Sequence, residues 1–252
     1  MISKPLLKQS FKANWVMWTA MTAVMLILNI QFASLEMTKS LLFVIFYGMM
    51  STVLPGIYVL LTANKLMASQ VDRGSMAYVL SNPVKRSTVI FTQMIFLIGS
   101  VTLMFVLTTV GHVLVNIGSP LDLSVLAYTP LSGELTSAMI IKINLSALMV
   151  SIAMAGVCFM CSGIFNLSKY SLGFSGTFVG VSILANMMAM FGNIGVDALS
   201  NFKYITICTF YDYQSVLVSG NDWVWKLFVS LAIAVVTFTI GSVSFVKKDL
   251  PL

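Results

Sequence analysis

The sequence predicts an all-α integral membrane protein, a single transmembrane domain of six helices over residues 1–252. Hydrophobic residues make up 58% of the 252 residues and charged residues only 9%, whereas soluble domains are about 25% charged. Apolar runs near the length that crosses a bilayer recur along the chain. The six predicted spans are 15–32, 41–61, 88–115, 139–165, 172–192 and 227–246. The third and fourth are long enough to tilt or to extend beyond the bilayer.

The segment before the first span is basic and amphipathic. On a helix, one stripe at four-residue spacing consists of Lys4, Lys8 and Lys12. The adjoining stripe consists of Leu7, Phe11 and Trp15. Such a helix lies at the membrane surface, with its apolar stripe in the headgroup boundary and its lysines near lipid phosphate. We therefore predict an N-terminal interfacial helix that contacts membrane lipid; an ordinary positive flank is the alternative interpretation.

The distribution of Lys and Arg predicts that both termini lie in the cytoplasm (N-in/C-in). In this orientation ten basic residues fall inside and four fall outside, as the positive-inside rule requires. The inner set is Lys4, Lys8, Lys12, Lys65, Arg73, Lys85, Arg86, Lys169, Lys247 and Lys248. The outer set is Lys39, Lys142, Lys203 and Lys226.

The same composition argues against several functions. The charges lie at the ends of spans and not on one face, so nucleic acid is not a predicted partner. No Asp or Glu lies deep in a span, whereas ion-coupled carriers often need one there. Cys158 and Cys161 stand in an apolar run, which indicates small core residues and no metal site. The chain has no G-x-x-x-x-G-K-[ST] loop, so we do not expect it to be an ATPase.

Residues 65–86 form the only long polar interruption between two apolar spans near the start of the chain. We predict a cytoplasmic coupling helix in which Asp72 caps a new turn near Gly74 and Pro83 ends the helix. The apolar side chains after Gly74 are Met76, Tyr78, Val79 and Leu80. Protein normally covers such a group, so we expect 65–73 to orient a partner and 74–80 to be buried in the partner's cleft.

Three parts of the chain, in the same order, resemble the permeases of type-2 (type V exporter-like) ABC exporters. Asp72-Arg73-Gly74-Ser75, then Leu80, then Pro83-Val84-Lys85-Arg86, resembles their acidic-x-Gly-[Ser/Thr] … Leu … Pro-[Val/Ile]-x-Arg signature. Asp72 stands where many relatives have Glu. Residues 204–212 resemble their aromatic segment before the last span, and residues 245–252 resemble their C-terminal end.

The resemblance implies a non-catalytic membrane subunit of an ATP-driven exporter in a bacterial plasma membrane. Two such permeases, identical or related, would pair above two ABC ATPase subunits, which would bind ATP and Mg²⁺; this chain itself would hold no cofactor. The coupling helix would sit in a cleft of the ATPase. The residues implied to contact the ATPase are Asp72, Arg73, Gly74, Ser75, Met76, Tyr78, Leu80, Pro83 and Arg86.

The cargo is less constrained than the class. Within the class the sequence resembles permeases of small Gram-positive bacteria, including those that export short amphipathic peptide toxins such as the phenol-soluble modulins of staphylococci. An apolar bundle without buried acids suits hydrophobic or amphipathic cargo, but it does not single out peptides over lipids or drugs.

The longest outer loop, 193–226, is rich in aromatic residues. It forms either an aromatic belt at the interface or a short capping helix that acts as an outer gate, and the two interpretations are compatible. The gate candidates are Phe202, Tyr204, Phe210, Tyr211, Tyr213 and Trp223.

Two other functions compete with the exporter subunit. The first is a stand-alone secondary transporter or channel. The second is a protease, because G-x-S-G at 173–176 and His112 with Asn116 resemble the rhomboid intramembrane proteases. Their serine needs a general base, and His112 is the only His in the chain. We therefore interpret His112 as a polar residue that faces the bundle or the outer interface. Gly173, Ser175, Gly176 and Gly180 are interpreted as small residues that permit close helix packing.

Overall fold

The computed structural model describes residues 2–35, 37–81, 84–125, 133–192 and 197–249. Regular structure in these ranges is helical, apart from one antiparallel bridge between Asp122 and Glu134. Six helical stretches are long and apolar enough to cross a membrane: Lys4–Ser34, Lys39–Asp72, Arg86–Gly118, Ser137–Ile164, Ser168–Gly192 and Asp222–Lys247. The chain is thus an all-helical, multi-pass membrane protein, which confirms the predicted class.

The first span and the basic segment before it form one continuous helix, α1 (Lys4–Ser34). Pro5 lies in its first turn, where the missing N–H costs nothing, and no further Pro or Gly interrupts the helix. The structure therefore corrects the prediction of a separate interfacial helix. The polar residues do not end α1 because Ser10 is buried and its hydroxyl donates to Gln93 Oε1 at 2.7 Å.

The second span changes its helical type part-way along. A 3₁₀ turn (Lys39–Leu41) leads into a π-helical segment (Leu42–Met50), and α2 (Ser51–Leu66) follows. Pro55 lies inside α2, and a proline ring crowds the carbonyl four residues earlier and lacks an N–H to bond it. That carbonyl belongs to Ser51, the residue at which the π-helical segment ends and α2 begins. The change of helical type therefore occurs where Pro55 removes a backbone hydrogen bond.

Three short helices, four long helices and three 3₁₀ turns make up the rest of the described residues. The segment after α2 holds α3 (Ala68–Asp72) and α4 (Ser75–Leu80). The third, fourth and fifth spans are α5 (Arg86–Gly118), α6 (Ser137–Ile164) and α7 (Ser168–Gly192). A 3₁₀ turn at Leu123–Val125 lies between α5 and α6. Two further 3₁₀ turns, Asp197–Tyr204 and Ile207–Phe210, follow α7. They lead to α8 (Tyr213–Leu217) and then to the last span, α9 (Asp222–Lys247).

The centre of the bundle is α6. Of the residues in its most apolar 18-residue stretch, 67% are buried, compared with 22% in α1 and 28% in α9. Its closest neighbour is α9, which runs in the same direction. A Cβ added at Gly241 would lie 2.8 Å from Met160 Cα, and one added at Gly163 would strike the Gly241 carbonyl oxygen. The two backbones are therefore in direct contact.

The glycines that the sequence suggested for close packing are not the ones that pack. A Cβ at Gly173 or Gly180 would meet nothing within 4 Å, and one at Gly176 would only touch Leu60 at 3.9 Å. Gly173 and Gly180 thus face open space in the described part of the chain, so the prediction is wrong for them, whereas Ser175 is buried. The tight contact belongs to α6 and α9, whose glycines are spread along longer, apolar helices.

Candidate functional site

The coupling segment between the second and third spans folds as two short helices at an angle. The backbone at Met67 (φ −133°, ψ −76°) ends α2, and α3 runs to Asp72. Gly74 then adopts φ +70°, a left-handed conformation that a residue with a side chain seldom takes. The turn at Gly74 lets α4 start in a new direction, which confirms the predicted restart of the helix at this residue.

The apolar side chains after Gly74 are divided between the bundle and the surface. Met76 is completely buried within the chain itself, whereas the side chain of Tyr78 is 80% exposed. Arg73 and Ser75 are exposed as well. The prediction that a partner covers the whole stretch 74–80 is therefore wrong for Met76. The side chain of Leu80 and the whole of Pro83 lie outside the described residues.

Asp72 does not cap the turn at Gly74. Its Oδ2 accepts a hydrogen bond from the backbone N–H of Ser168 at 3.2 Å, and α4 has no side-chain cap at Gly74. Ser168 is the first residue of α7, where N–H groups lack intrahelical partners and the helix dipole favours an anion. Asp72 was therefore predicted to cap the wrong helix. Its carboxylate caps the N-terminus of the fifth span, 96 residues away in sequence.

Further hydrogen bonds connect the end of α2 to its neighbours. Asn64 Nδ2 donates to Ser168 Oγ at 2.7 Å, beside the contact of Asp72. Lys65 Nζ donates to the carbonyl of Ala13 in α1. The coupling segment is thus joined to two other spans, the first and the fifth, by polar contacts at one end of the bundle.

Arg86 connects the start of α5 to the C-terminal end of α9 and, through Lys248, to that of α6. It is half-buried, and its Nη1 donates to the carbonyl of Lys248 at 3.0 Å. Lys248 Nζ in turn donates to the carbonyl of Phe165 at 3.2 Å, just after α6. Arg86 therefore makes an intramolecular contact, and its predicted contact with an ATPase stays a prediction.

The ammonium of Lys248 should make stability depend on pH. Burial lowers the pKa of Lys248 to about 8, below the value of about 10.4 in an unfolded chain. Between these two values the unfolded chain binds more protons, so stability rises with pH. We expect the unfolding midpoint of the wild type to gain about 2 °C more than that of Lys248→Met between pH 7.5 and 9.5. Thermal unfolding in detergent measures this difference, and Lys247→Met, at the exposed neighbouring position, is the control.

Two surface depressions flank the exposed residues of α3 and α4. One, of about 600 Å³, is lined by Ser3, Pro5, Leu6, Gln9, Ser75, Tyr78, Val79 and Val84. A smaller one, of about 190 Å³, is lined by residues of α1, α2, α3 and α4, among them Lys65, Gln70 and Arg73. The start of α1 and the coupling segment together therefore form one indented surface on which Arg73 and Tyr78 are accessible.

The predicted N-terminal lysines lie on the outside of α1. Lys4, Lys8 and Lys12 are exposed, and Phe11 is 56% exposed. The start of α1 is fixed to α5, because the Ser3 N–H donates to Thr92 Oγ1 at 3.0 Å. Phe11 and the lysines are therefore accessible on a continuous helix, and their contact with lipid headgroups stays a prediction.

The predicted outer gate residues fall into separate groups. Tyr211, which is 8% exposed, packs beside Tyr213, and Tyr213 stacks on Phe43 of the second span at 6.1 Å between ring centroids. Phe210 meets Trp225 edge to face, and Lys142 Nζ lies 6.0 Å from the ring centre of Trp223. Tyr204 is 76% exposed and Phe202 is half-buried on a separate 3₁₀ turn. Tyr211 belongs to the buried interior, and Phe210, Tyr213 and Trp223 pack against it.

A buried polar cluster at the same end of the bundle was not predicted. Tyr47 Oη lies 2.5 Å from His112 Nδ1 and accepts from Asn144 Nδ2 at 3.1 Å. Asn29 of α1 is also fully buried, next to Tyr47. The available signal was the presence of Asn29, Tyr47, His112 and Asn144 inside apolar spans, since membrane helices place such residues toward the bundle interior.

The protease residues do not come together. His112 is 1% exposed and pairs with Tyr47, which confirms that it faces the bundle. The hydroxyl of Ser175 donates within its own helix, to the carbonyl of Ser171. A serine nucleophile needs a hydrogen-bonded base, and among the described residues Ser175 has none.

No protein-family model matches the chain, and no curated protein matches it.

Proposed function

We propose that this chain is the membrane-spanning permease subunit of an ATP-driven exporter whose energy comes from separate ATPase subunits. One observation carries the proposal: a two-helix segment at the predicted cytoplasmic end presents Arg73 and Tyr78 outward while Asp72 bonds to the first residue of α7. An element that contacts a partner on one side and a span on the other can transmit movement between them.

The proposed mechanism assigns different roles to neighbouring residues. Arg73 and Tyr78 contact the ATPase, since Arg and Tyr are the residue types that most often dominate protein interfaces. Met76 fixes α4 to the bundle, because it is fully buried in the same chain. Asp72, Asn64 and Lys65 pass the displacement to α7 and α1 through the hydrogen bonds described above.

The proposed assembly has two permease chains and two ABC ATPase subunits in a bacterial plasma membrane, with ATP and Mg²⁺ held by the ATPases. The proposed cargo is a hydrophobic or amphipathic molecule, such as a short amphipathic peptide. An open apolar groove of about 610 Å³ along α7, lined by residues such as Phe174, Phe178 and Val181, suits the apolar face of such a cargo. Lys169 at one end of that groove suits an acidic group on it.

Capture of the ATPase tests the proposal. We expect a tagged chain, isolated from membranes of its own cells, to retain an ATPase with a phosphate-binding loop. Arg73→Ala with Tyr78→Ala should lower the retained amount about tenfold, because both side chains lie in the proposed contact. Quantitative mass spectrometry of the purified complex measures this ratio.

The matched control is Lys169→Ala with Tyr170→Ala. This pair is also a cation and a tyrosine on an exposed surface at the same end, where Lys169 Nζ lies 5.0 Å from the Tyr170 ring centre. Retention of the ATPase should stay within about twofold of wild type, as is usual for surface charges outside a contact. Equal losses in both double variants would contradict the assigned contact. Transport by the purified chain in vesicles without any ATPase would contradict the proposed function itself.

A further inference from the structure

We propose that a groove between α1 and α5 binds one anionic phospholipid, with the phosphate at Lys4 and Lys8 and an acyl chain beside Gly99. The groove has a volume of about 520 Å³ and is open on one side. Its lining residues are Lys4, Leu7, Lys8, Phe11, Asn14, Trp15, Trp18, Ile95, Phe96, Gly99, Ser100 and Leu103. This site does not depend on the proposed exporter function.

The groove has a basic end and an apolar remainder, which match the charged headgroup and the acyl chain of a phospholipid. Lys4 and Lys8 line one end, and Phe11, Trp15 and Leu103 line the rest as exposed apolar side chains. From Lys4 to Trp18 an α-helix rises about 21 Å. One leaflet with its headgroup layer is about 20–22 Å thick. The groove therefore has the length of a single lipid molecule.

The charge at the lysine end is not neutralised by the protein. Neither α1 nor α5 contains an Asp or Glu, and no ion pair to Lys4 or Lys8 occurs in the described ranges. An anion must therefore come from outside these helices. Basic pockets between membrane helices at the cytoplasmic side are the usual setting for anionic lipid headgroups.

Gly99 keeps the apolar part of the groove open. It is exposed in the middle of α5, and a Cβ added there would meet nothing within 4 Å. The adjacent helix contact is fixed, because Trp18 Nε1 donates to the carbonyl of Ser100 at 2.8 Å. A larger side chain at Gly99 would thus occupy the space of the acyl chain without disturbing the α1–α5 contact.

Quenching of tryptophan fluorescence by brominated lipids tests the site. Trp15 and Trp18 line the groove, and Trp223→Phe with Trp225→Phe leaves them as the only tryptophans. In vesicles of phosphatidylcholine, we expect brominated phosphatidylglycerol to reach half-quenching at a mole fraction about tenfold lower than brominated phosphatidylcholine. Each lysine near an anionic headgroup strengthens binding about fivefold, so Lys4→Gln with Lys8→Gln should bring the two lipids within about twofold of each other.

Two control variants test whether the effects are specific to the lysines of the groove and to the space beside Gly99. Lys85→Gln with Lys247→Gln removes the same charge from exposed positions at the same end and should keep the preference for phosphatidylglycerol. Gly99→Leu should abolish saturable quenching by both lipids. Gly180→Leu, at a second helical glycine whose Cβ would meet nothing, should leave quenching unchanged.

Three results would overturn the proposal. Equal half-quenching by the two lipids in the wild type would show ordinary annular lipid. Relief of quenching by soluble glycerol phosphate would show a site for a free anion. A disulfide-linked dimer of Leu103→Cys in vesicles, together with no lipid preference, would show that a second copy of the chain covers the groove.

Discussion

Gly241→Val should prevent α6 and α9 from packing and should be among the most destabilising single changes in the chain. A Cβ at this position would lie 2.8 Å from Met160 Cα and 3.2 Å from the carbonyl oxygen of Phe159. Both atoms belong to the backbone of the central helix and cannot rotate away. Overpacking costs about 1–3 kcal/mol where side chains can adjust, so we expect about 3 kcal/mol here and a fall of about 10 °C in the unfolding midpoint.

The reaction of buried cysteines with a fluorogenic maleimide measures this change. Cys158, Cys161 and Cys208 are all buried, so they become reactive when the bundle opens. Gly180→Val is the matched control, because the same side chain would meet nothing there; its midpoint should stay within about 2 °C of wild type. If the two variants unfolded at the same temperature, direct backbone contact between α6 and α9 would be disproved.

In the proposed exporter, Asp72→Lys should uncouple ATP hydrolysis from transport while the ATPase stays bound. The substitution removes a carboxylate from the N-terminus of α7 and places a cation there, next to unpaired N–H groups of the same sign. The lost attraction and the new repulsion together come to about 1.4 kcal/mol, a tenfold change in the equilibrium between the coupled and uncoupled states. We therefore expect about tenfold less exported amphipathic peptide per ATP hydrolysed.

The measurement is the ratio of peptide efflux to ATP hydrolysis in vesicles that contain the purified complex. Asp222→Lys is the control, since Asp222 is the acidic residue in the first turn of α9 and is also exposed. That variant makes the same charge reversal at a helix N-terminus away from the coupling segment, and its ratio should match wild type. Loss of the ATPase from Asp72→Lys would instead assign Asp72 to the partner contact.

The sequence was sufficient for the membrane class because long apolar runs have no other stable environment than lipid. The sequence was not sufficient to predict where each helix begins and ends. Lys4, Lys8 and Lys12 suggested a separate surface helix, yet polar residues are compatible with a helix that continues beyond the bilayer, and nothing in 6–34 breaks it. The π-helical segment Leu42–Met50 has no signal of its own in the apolar pattern.

The restart of the helix at Gly74 was predicted from the sequence, but the contacts of this segment were not. The left-handed turn at Gly74 is a local property, and a glycine after an acidic residue indicates it. The bond from Ser168 to Asp72 joins residues far apart in the chain, so no local pattern contains it. The same limit explains the glycines: Gly173 and Gly180 looked like a packing motif, but only the arrangement of helices determines that Gly163 and Gly241 meet.

The contact between α6 and α9 also offers a way to recognise distant relatives. Gly156 and Gly163 lie seven residues apart and touch Ala234 and Gly241, which are also seven residues apart. Two parallel helices that meet at a seven-residue repeat are expected to wind around each other in a left-handed sense. The lipid-facing surface can change freely among apolar residues, whereas these four positions accept only small ones. A chain that has lost overall similarity should therefore still carry both spaced pairs in its fourth and sixth spans.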